Sequence, residues 1–343
     1  MQTKKWNMKQ NINEEILIEA IELIKNGELV AFPTETVYGL GADATNDNAI
    51  KKIFQAKGRP SDNPLIVHVA TIEQMKQYVK EIPAYVGKLL QEFSPGPITY
   101  VLKSNGVIAS SVTAGLDTIA IRIPSDPIAN GLIKLSQLPI AAPSANISGK
   151  PSPTTAEHVI DDMDGRIAGI IDGGSTDGGI ESTVIDCTGD APVVLRLGGI
   201  SVTKINEIIK VRTEVENSNN GEQLTPKSPG VKYRHYAPDV PLMVVIENKK
   251  ELQKIIKGKK LLGYKIGLIW TGDQIDSFEN VDKVIFIGAT PKEIAQGLYS
   301  SFRKFKKNDV DIVICFIQSS KQAGQAILDR VKRAATIFYQ DES

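Results

Sequence analysis

Residues 167–197 read IAGIIDGGSTDGGIESTVIDCTGDAPVVLRL. Three apolar, β-branched runs stand in this stretch, at 167–171, 182–186 and 193–197. Glycine, serine, aspartate and proline separate them, and nothing between has the three-to-four spacing of a helix. Such strands cannot all be parallel neighbours, because a parallel pair needs a long crossover, usually a helix. Further strand-like runs at 29–32, 65–69, 98–102 and 118–123 sit among amphipathic runs at 13–26, 47–56, 72–80, 84–92, 127–136, 155–163 and 202–210. The combination predicts an α/β fold on a mixed, twisted open sheet rather than a doubly wound parallel one.

At 343 residues the chain is long enough for two domains. With 41% hydrophobic and 23% charged residues it has a globular composition. Two cysteines, Cys187 and Cys315, exclude a disulfide framework and an all-cysteine metal cluster, and suit a reducing, cytoplasmic setting. No run approaches the ~18 apolar residues of a membrane helix, and residues 1–15 lack the apolar core of a signal peptide. A cytoplasmic protein with no membrane partner is expected.

Net charge is zero, yet residues 1–210 carry −5 and residues 211–343 carry +5. Neither part is basic enough to announce nucleic-acid binding, so an anionic ligand on the first part needs a local cationic cluster. Residues 211–239 are polar, hold three prolines and read as a linker that closes over the site. Beyond it, strand-like runs at 242–246, 266–270, 284–287 and 312–317 alternate with helix-like runs at 249–257, 291–305 and 322–336. This is the pattern of a smaller Rossmann-like α/β domain. The expected organisation is a catalytic domain over 1–210, a linker over 211–239 and an accessory domain over 240–343.

Several short segments have the residue types that chemistry needs. Lys57-Gly58-Arg59-Pro60-Ser61-Asp62-Asn63-Pro64 sets two cations on a stiffened loop at a helix end. Arginine offers a planar fork for phosphate oxygens and lysine a point charge; the same loop also reads as a solvated basic turn. Pro143-Ser144-Ala145-Asn146-Ile147-Ser148-Gly149 follows a buried run and offers hydroxyl, amide and backbone groups at a strand end, where α/β sheets bind ligands. Residues 172–184 hold four glycines within seven residues, which allows close backbone approach, but lack the Gly-Lys-Ser/Thr of a P-loop. Arg122 and Arg196 are charges inside apolar strand runs, so each needs a partner, from the protein or from a ligand. His68 stands in another such run, and the histidines at 68, 158 and 235 have no metal-ligand spacing.

Taken together, Pro33-Thr34-Glu35-Thr36-Val37-Tyr38-Gly39-Leu40-Gly41, Lys57-Gly58-Arg59-Pro60 with Asn63-Pro64-Leu65, the 143–149 segment and Ser182-Thr183-Val184 resemble the YrdC-type threonylcarbamoyl-AMP synthases, in that family's order and approximate spacing. Ser228-Pro229-Gly230-Val231-Lys232-Tyr233-Arg234-His235-Tyr236-Ala237-Pro238 and the second domain resemble its long, two-domain form. The resemblance implies a YrdC/RibB-like open sheet around a central cavity. It implies a reaction in which L-threonine, bicarbonate (or CO2) and ATP give threonylcarbamoyl-AMP and pyrophosphate. Mg2+ would arrive with the ATP and no protein side chain would hold it. The product would pass to a downstream threonylcarbamoyl transferase complex and so to tRNAs that read codons starting with A. By the same resemblance, Thr36, His68, Arg122, Ala142 and Ser182 would bind threonine. Lys57, Arg59, Asn63, Thr118, Ser144, Asn146, Ser152, Arg196 and Tyr236 would bind ATP. Hydrogenase-maturation carbamoyl transfer, which uses zinc-binding cysteine pairs, does not fit two lone cysteines. The remaining alternative is an RNA-binding module without catalysis, which zero net charge and the lack of aromatic–basic interleaving disfavour.

Overall fold

Asparagines start the first two helices. Asn13 accepts hydrogen bonds from the amides of Glu15 and Ile16, and Asn46 from those of Asn48 and Ala49, which satisfies amides that a helix start leaves unpaired. Gly58 ends the second helix at φ 59°, a left-handed conformation suited to glycine. The computed structural model describes residues 2–216, 236–272 and 278–339. Most of the expected linker, including motif positions 228–235 and His235, lies outside the described residues.

The chain forms two compact units, the first of residues 2–148 and 153–216, the second of residues 149–152 and 236–339. The first runs β1 (Lys4–Asn7), α1 (Glu14–Lys25), β2 (Val30–Phe32), β3 (Gly39–Asp43), α2 (Asp47–Lys57), β4 (Ile66–His68), α3 (Ile72–Lys76), α4 (Ala84–Phe93), β5 (Ile98–Lys103), α5 (Ser110–Thr113), β6 (Thr118–Arg122), α6 (Pro127–Ser136), β7 (Ile140–Ala141), α7 (Ala156–Met163), β8 (Gly169–Asp172), β9 (Thr183–Asp186), β10 (Val193–Arg196), α8 (Val202–Ile209) and β11 (Glu214–Val215). Its described strands join in the order β1-β8-β2-β3-β7-β4-β6-β5-β9-β10-β11. β4 and β6 pair parallel, as do β5 and β9, whereas β5/β6, β9/β10, β4/β7 and β3/β7 pair antiparallel. The mixed sheet expected from residues 167–197 is the observed one.

Alternation of side chains along the strands divides the sheet into two faces. One face is covered by α2, α4, α5, α7 and α8, which bury Leu40, Val67, Tyr100, Ile121 and Ile185 in the main core. On the other face α1 and α6 cover Val30, Phe32, Ile140 and Ile171. What remains of that face is a small apolar cluster of Ile66, Val101, Ala120, Val184 and Leu195.

The second unit runs β12 (Leu242–Ile246), α9 (Lys249–Leu261), β13 (Ile266–Trp270), β14 (Lys283–Phe286), α10 (Pro291–Arg303), β15 (Ile312–Ile317), α11 (Ser320–Ala323), α12 (Gln325–Ala334) and β16 (Ile337–Tyr339). Its sheet has the order β14-β13-β15-β12-β16 and every pair is parallel. The layering is the expected Rossmann-like one, with the first and fourth strands exchanged relative to the common dinucleotide-binding order. The single helix expected over 322–336 is two helices, broken at Gly324 with φ 80°.

Candidate active site

Arg122 is the last residue of β6 and His68 the last of β4; the two are register partners and share a sheet face. Arg122 is 3% exposed. Its Nε donates to the Gly96 carbonyl at 3.2 Å and its Nη1 to Thr36 Oγ1 at 2.9 Å. Thr36 Oγ1 lies 2.8 Å from Thr34 Oγ1, which donates to the Val37 carbonyl at 2.7 Å. The remaining guanidinium nitrogen, Nη2, is 2.7 Å from Glu35 Oε1. Burial favours the neutral Glu35 acid, but the Arg122 charge outweighs it and holds the carboxyl below its ordinary value. Burial, with Arg122 beside it, pushes His68 down to about 3, so its imidazole is neutral at physiological pH. Its Nδ1 is buried and makes no hydrogen bond among the described residues.

The glycine-rich segment after β8 supports this loop. Gly178 donates to the Glu35 carbonyl at 2.7 Å, and a Cβ at Gly178 would meet that oxygen at 2.7 Å. Tyr38 Oη donates to the Gly174 carbonyl at 2.7 Å and accepts from the Gly173 amide at 3.2 Å. The close backbone approach that four glycines permit is an approach to residues 35–38.

Ser182 and Arg196 form a second cluster beside the first. Arg196 Nε donates to the Ser182 carbonyl at 3.2 Å and its Nη2 to Ser182 Oγ at 3.1 Å. Ser182 Oγ is 2.8 Å from Thr99 Oγ1 on β5. A Cβ on Gly198 would lie 2.3 Å from the backbone of Ser182 and Thr183, so glycine is required where the chain leaves β10.

The third cluster lies around the end of α2. Lys57, 2% exposed, donates to the carbonyls of Ser144 and Asn146. Ser144 Oγ donates to Asn146 Oδ1 at 2.5 Å, and Asn146 Nδ2 to the Ile147 carbonyl at 2.8 Å. Arg59 Nη2 reaches the carbonyls of Asn63 and Pro64 at 3.4 and 3.3 Å. Asn63 Oδ1 is buried without a hydrogen bond among the described residues. Backbone bonds from Leu40 to Pro143 (2.7 Å) and from Ala145 to Tyr38 (2.9 Å) tie this cluster to the loop that carries Thr36. Ala142 donates its amide to Ile66 at 3.0 Å, beside the apolar cluster. Thr118 opens β6 on the same face as Arg122, about 13 Å away by strand rise.

The first unit thus holds Thr36, His68, Arg122, Ala142, Ser182, Arg196, Lys57, Arg59, Asn63, Thr118, Ser144 and Asn146, with His68, Arg122 and Thr118 on one sheet face and Lys57, Arg59, Asn63, Ser144 and Asn146 around the end of α2, which packs on the other. Ser152 and Tyr236 fall in the second unit. There Tyr236 adopts φ 65°, stacks on Tyr299 at 5.2 Å between centroids, and lies 5.6 Å under the Arg330 guanidinium. Residues given no role from sequence are Glu35, Thr34 and Thr99. Glu35 carried a signal, as the one acid between residues 29 and 42; Thr34 and Thr99 carried none.

Residues 22–198 match the family model described as Telomere recombination (Sua5–YciO–YrdC), and residues 200–336 match the one described as Threonylcarbamoyl-AMP synthase, C-terminal domain. The chain is 44% identical over 334 residues to the threonylcarbamoyl-AMP synthase of Pyrococcus abyssi, covering 96% of each chain. It is 44% identical over 342 residues to that of Bacillus subtilis, covering 98% of each. Its structure is similar to that of P. abyssi Sua5 complexed with L-threonine, with a TM-score of 0.92 at 42% identity, over 98% of this chain and all of that one. Matched in both parts and over nearly its whole length, the chain belongs to the Sua5–YrdC family of threonylcarbamoyl-AMP synthases.

Proposed function

We propose that this enzyme joins L-threonine, bicarbonate (or CO2) and ATP into threonylcarbamoyl-AMP with release of pyrophosphate, for threonylcarbamoyladenosine modification of tRNA. The observation that carries the reading is the buried cluster at the ends of β4 and β6. Arg122 is fixed there by Thr36 and Gly96, with neutral His68 beside it. Arg122 takes the threonine carboxylate, the task a guanidinium fork suits. Thr36, Ser182 and the backbone at Ala142 shape the remainder of the amino-acid site, and His68 Nδ1 bonds the side-chain hydroxyl. Discrimination for a hydroxyl needs such a buried polar partner, because an apolar pocket alone distinguishes weakly.

Lys57, Arg59, Asn63, Thr118, Ser144, Asn146 and Arg196, all in the first unit, make the ATP site. The threonine ammonium first gives up a proton to solvent; the neutral amine then adds to CO2 and loses a second proton to give a carbamate. A carbamate oxygen then attacks the α-phosphorus in line and pyrophosphate leaves. The protein's work is positioning and charge stabilisation by Lys57 and Arg59. Among the described residues no three His, Cys, Asp or Glu side chains gather as a metal-ligand set. Mg2+ would arrive with the triphosphate and offset part of its charge.

The second unit is read as an accessory domain that follows the linker, and the product as passing to a transferase complex and tRNA. A cytoplasmic location suits that use; no described helix is long and apolar enough to cross a membrane. The RNA-binding reading without catalysis is not favoured, since the full-length relatives carry an enzyme's name. Steady-state kinetics separate the two half-sites. Arg122→Ala should raise KM for threonine at least a hundredfold with KM for ATP within a few-fold, and Arg59→Ala should do the converse. An unchanged kcat/KM for ATP in Arg59→Ala would refute the phosphate assignment.

A further inference from the structure

Three buried polar groups meet at one end of β4 and β6 with hydrogen-bonding capacity left over. Glu35 Oε1 and Oε2, Arg122 Nη2 and His68 Nδ1 are each buried without a well-formed hydrogen bond among the described residues, although Arg122 and the amides of Glu35 and Ser125 stand close enough to the Glu35 carboxyl to favour its charged form. Glu35 and Arg122 stand at ion-pair distance, 2.7 Å. Their charges offset one another, and Arg122 favours the charged form of Glu35. Buried groups in a folded protein are nearly always satisfied, so exceptions at one spot call for an explanation. The loop is not loosely placed: its backbone is held by Gly178 at Glu35 and by the Thr34–Val37 bond. A ligand with a carboxylate for Arg122 Nη2 and an ammonium for the Glu35 oxygens would satisfy both charged groups. A free α-amino acid is such a dipole.

We infer that Glu35 is a substrate-binding residue for the reaction proposed above, the anion that receives the α-ammonium of threonine. The inference rests on that reading. In the free enzyme Glu35 and Arg122 neutralise each other, so neither charge is left unpaired in the interior, where an uncompensated charge is costly. When threonine enters, its carboxylate takes Nη2 and its ammonium takes Glu35, and two charge-assisted pairs replace one. The arrangement selects a zwitterion over a simple carboxylate. It sets the amine at the Glu35 end of the site and the carboxylate at the Arg122 end. Asp126, a nearby carboxyl that feels the Glu35 charge, already accepts from the amides of Ile128 and Ala129 as the cap of α6.

The test is calorimetric titration of the full-length chain, without ATP, with L-threonine and with the analogue that has a hydroxyl in place of the α-ammonium. The wild type should bind threonine at least a hundredfold more tightly than the analogue. Glu35→Gln should weaken threonine at least tenfold and leave the analogue within threefold, so that the ratio collapses. Glu35→Asp, which keeps the charge, should restore part of it. A merely structural role for Glu35 would weaken both ligands together and overturn the inference. Equal binding of both ligands by the wild type would also overturn it, with no variant needed. Failure of the wild type to bind threonine at all would instead remove the synthase reading and the inference with it.

Discussion

Asp126 shows how far one side chain's position sets its chemistry. Burial is the main reason its pKa is raised to about 6, with the charges of Glu35 and Asp177 adding to it and two helix amides opposing. A carboxyl whose folded pKa lies above its unfolded value binds protons more tightly when folded, so stability falls as pH rises from about 4 through 6. Asparagine caps a helix about as well as aspartate and cannot ionise. Asp126→Asn should therefore be more stable than the wild type at pH 7.5, by up to about 3 kcal/mol, and the difference should close as pH falls to 4. Thermal melts across that range check it; a difference that does not vary with pH would contradict the assignment. Arg122 stood out in sequence because a charge inside an apolar strand run demands a partner, whereas His68 was singled out only through the family resemblance. The partner of Arg122 did not stand out. Glu35 stands 87 positions from Arg122, and only the pairing of β4 with β6 and the fold of the 33–38 loop bring them together.

Among the elements, those with strong local signals stood where the sequence placed them, and those defined by their neighbours did not. α6 needs only Asp126, Pro127 and an apolar stripe, and it spans the expected 127–136. β3 was hidden because GLGAD looks like a turn. Its glycines are there for packing, since a Cβ on Gly41 would fall 2.5 Å from the Phe32 ring. β1 was hidden for another reason: an edge strand with lysines and one buried side chain, Trp6, has no apolar alternation to read. The same reasoning separates two glycines. Gly198→Ala would press a methyl group into the backbone of Ser182 and Thr183, with no side chain able to yield. It should cost about 2 kcal/mol or more and raise KM for threonine. Gly58→Ala meets nothing within 4 Å and strains only a left-handed residue, which should cost about 1 kcal/mol. Urea midpoints of the two variants compared with the wild type test this; equal losses would refute it.

For the whole molecule, the sequence indicated two α/β parts of different kind, and two sheets of different kind are present, one mixed and one parallel. The strand order of neither sheet could be read, because which strands become neighbours depends on tertiary packing rather than on the chain's local pattern. The expectation about the substrates likewise came only from several short motifs taken together; each alone reads as an ordinary loop. In the first unit they flank the sheet face on which the proposal sets the substrates. The central claim is that this face assembles one product from three substrates. It is tested most directly by pyrophosphate release from ATP, with L-threonine and bicarbonate each omitted in turn and threonylcarbamoyl-AMP followed by mass. The account predicts release and product only when all three substrates are present. Release from ATP without threonine, or none from folded protein with the full set, would contradict it.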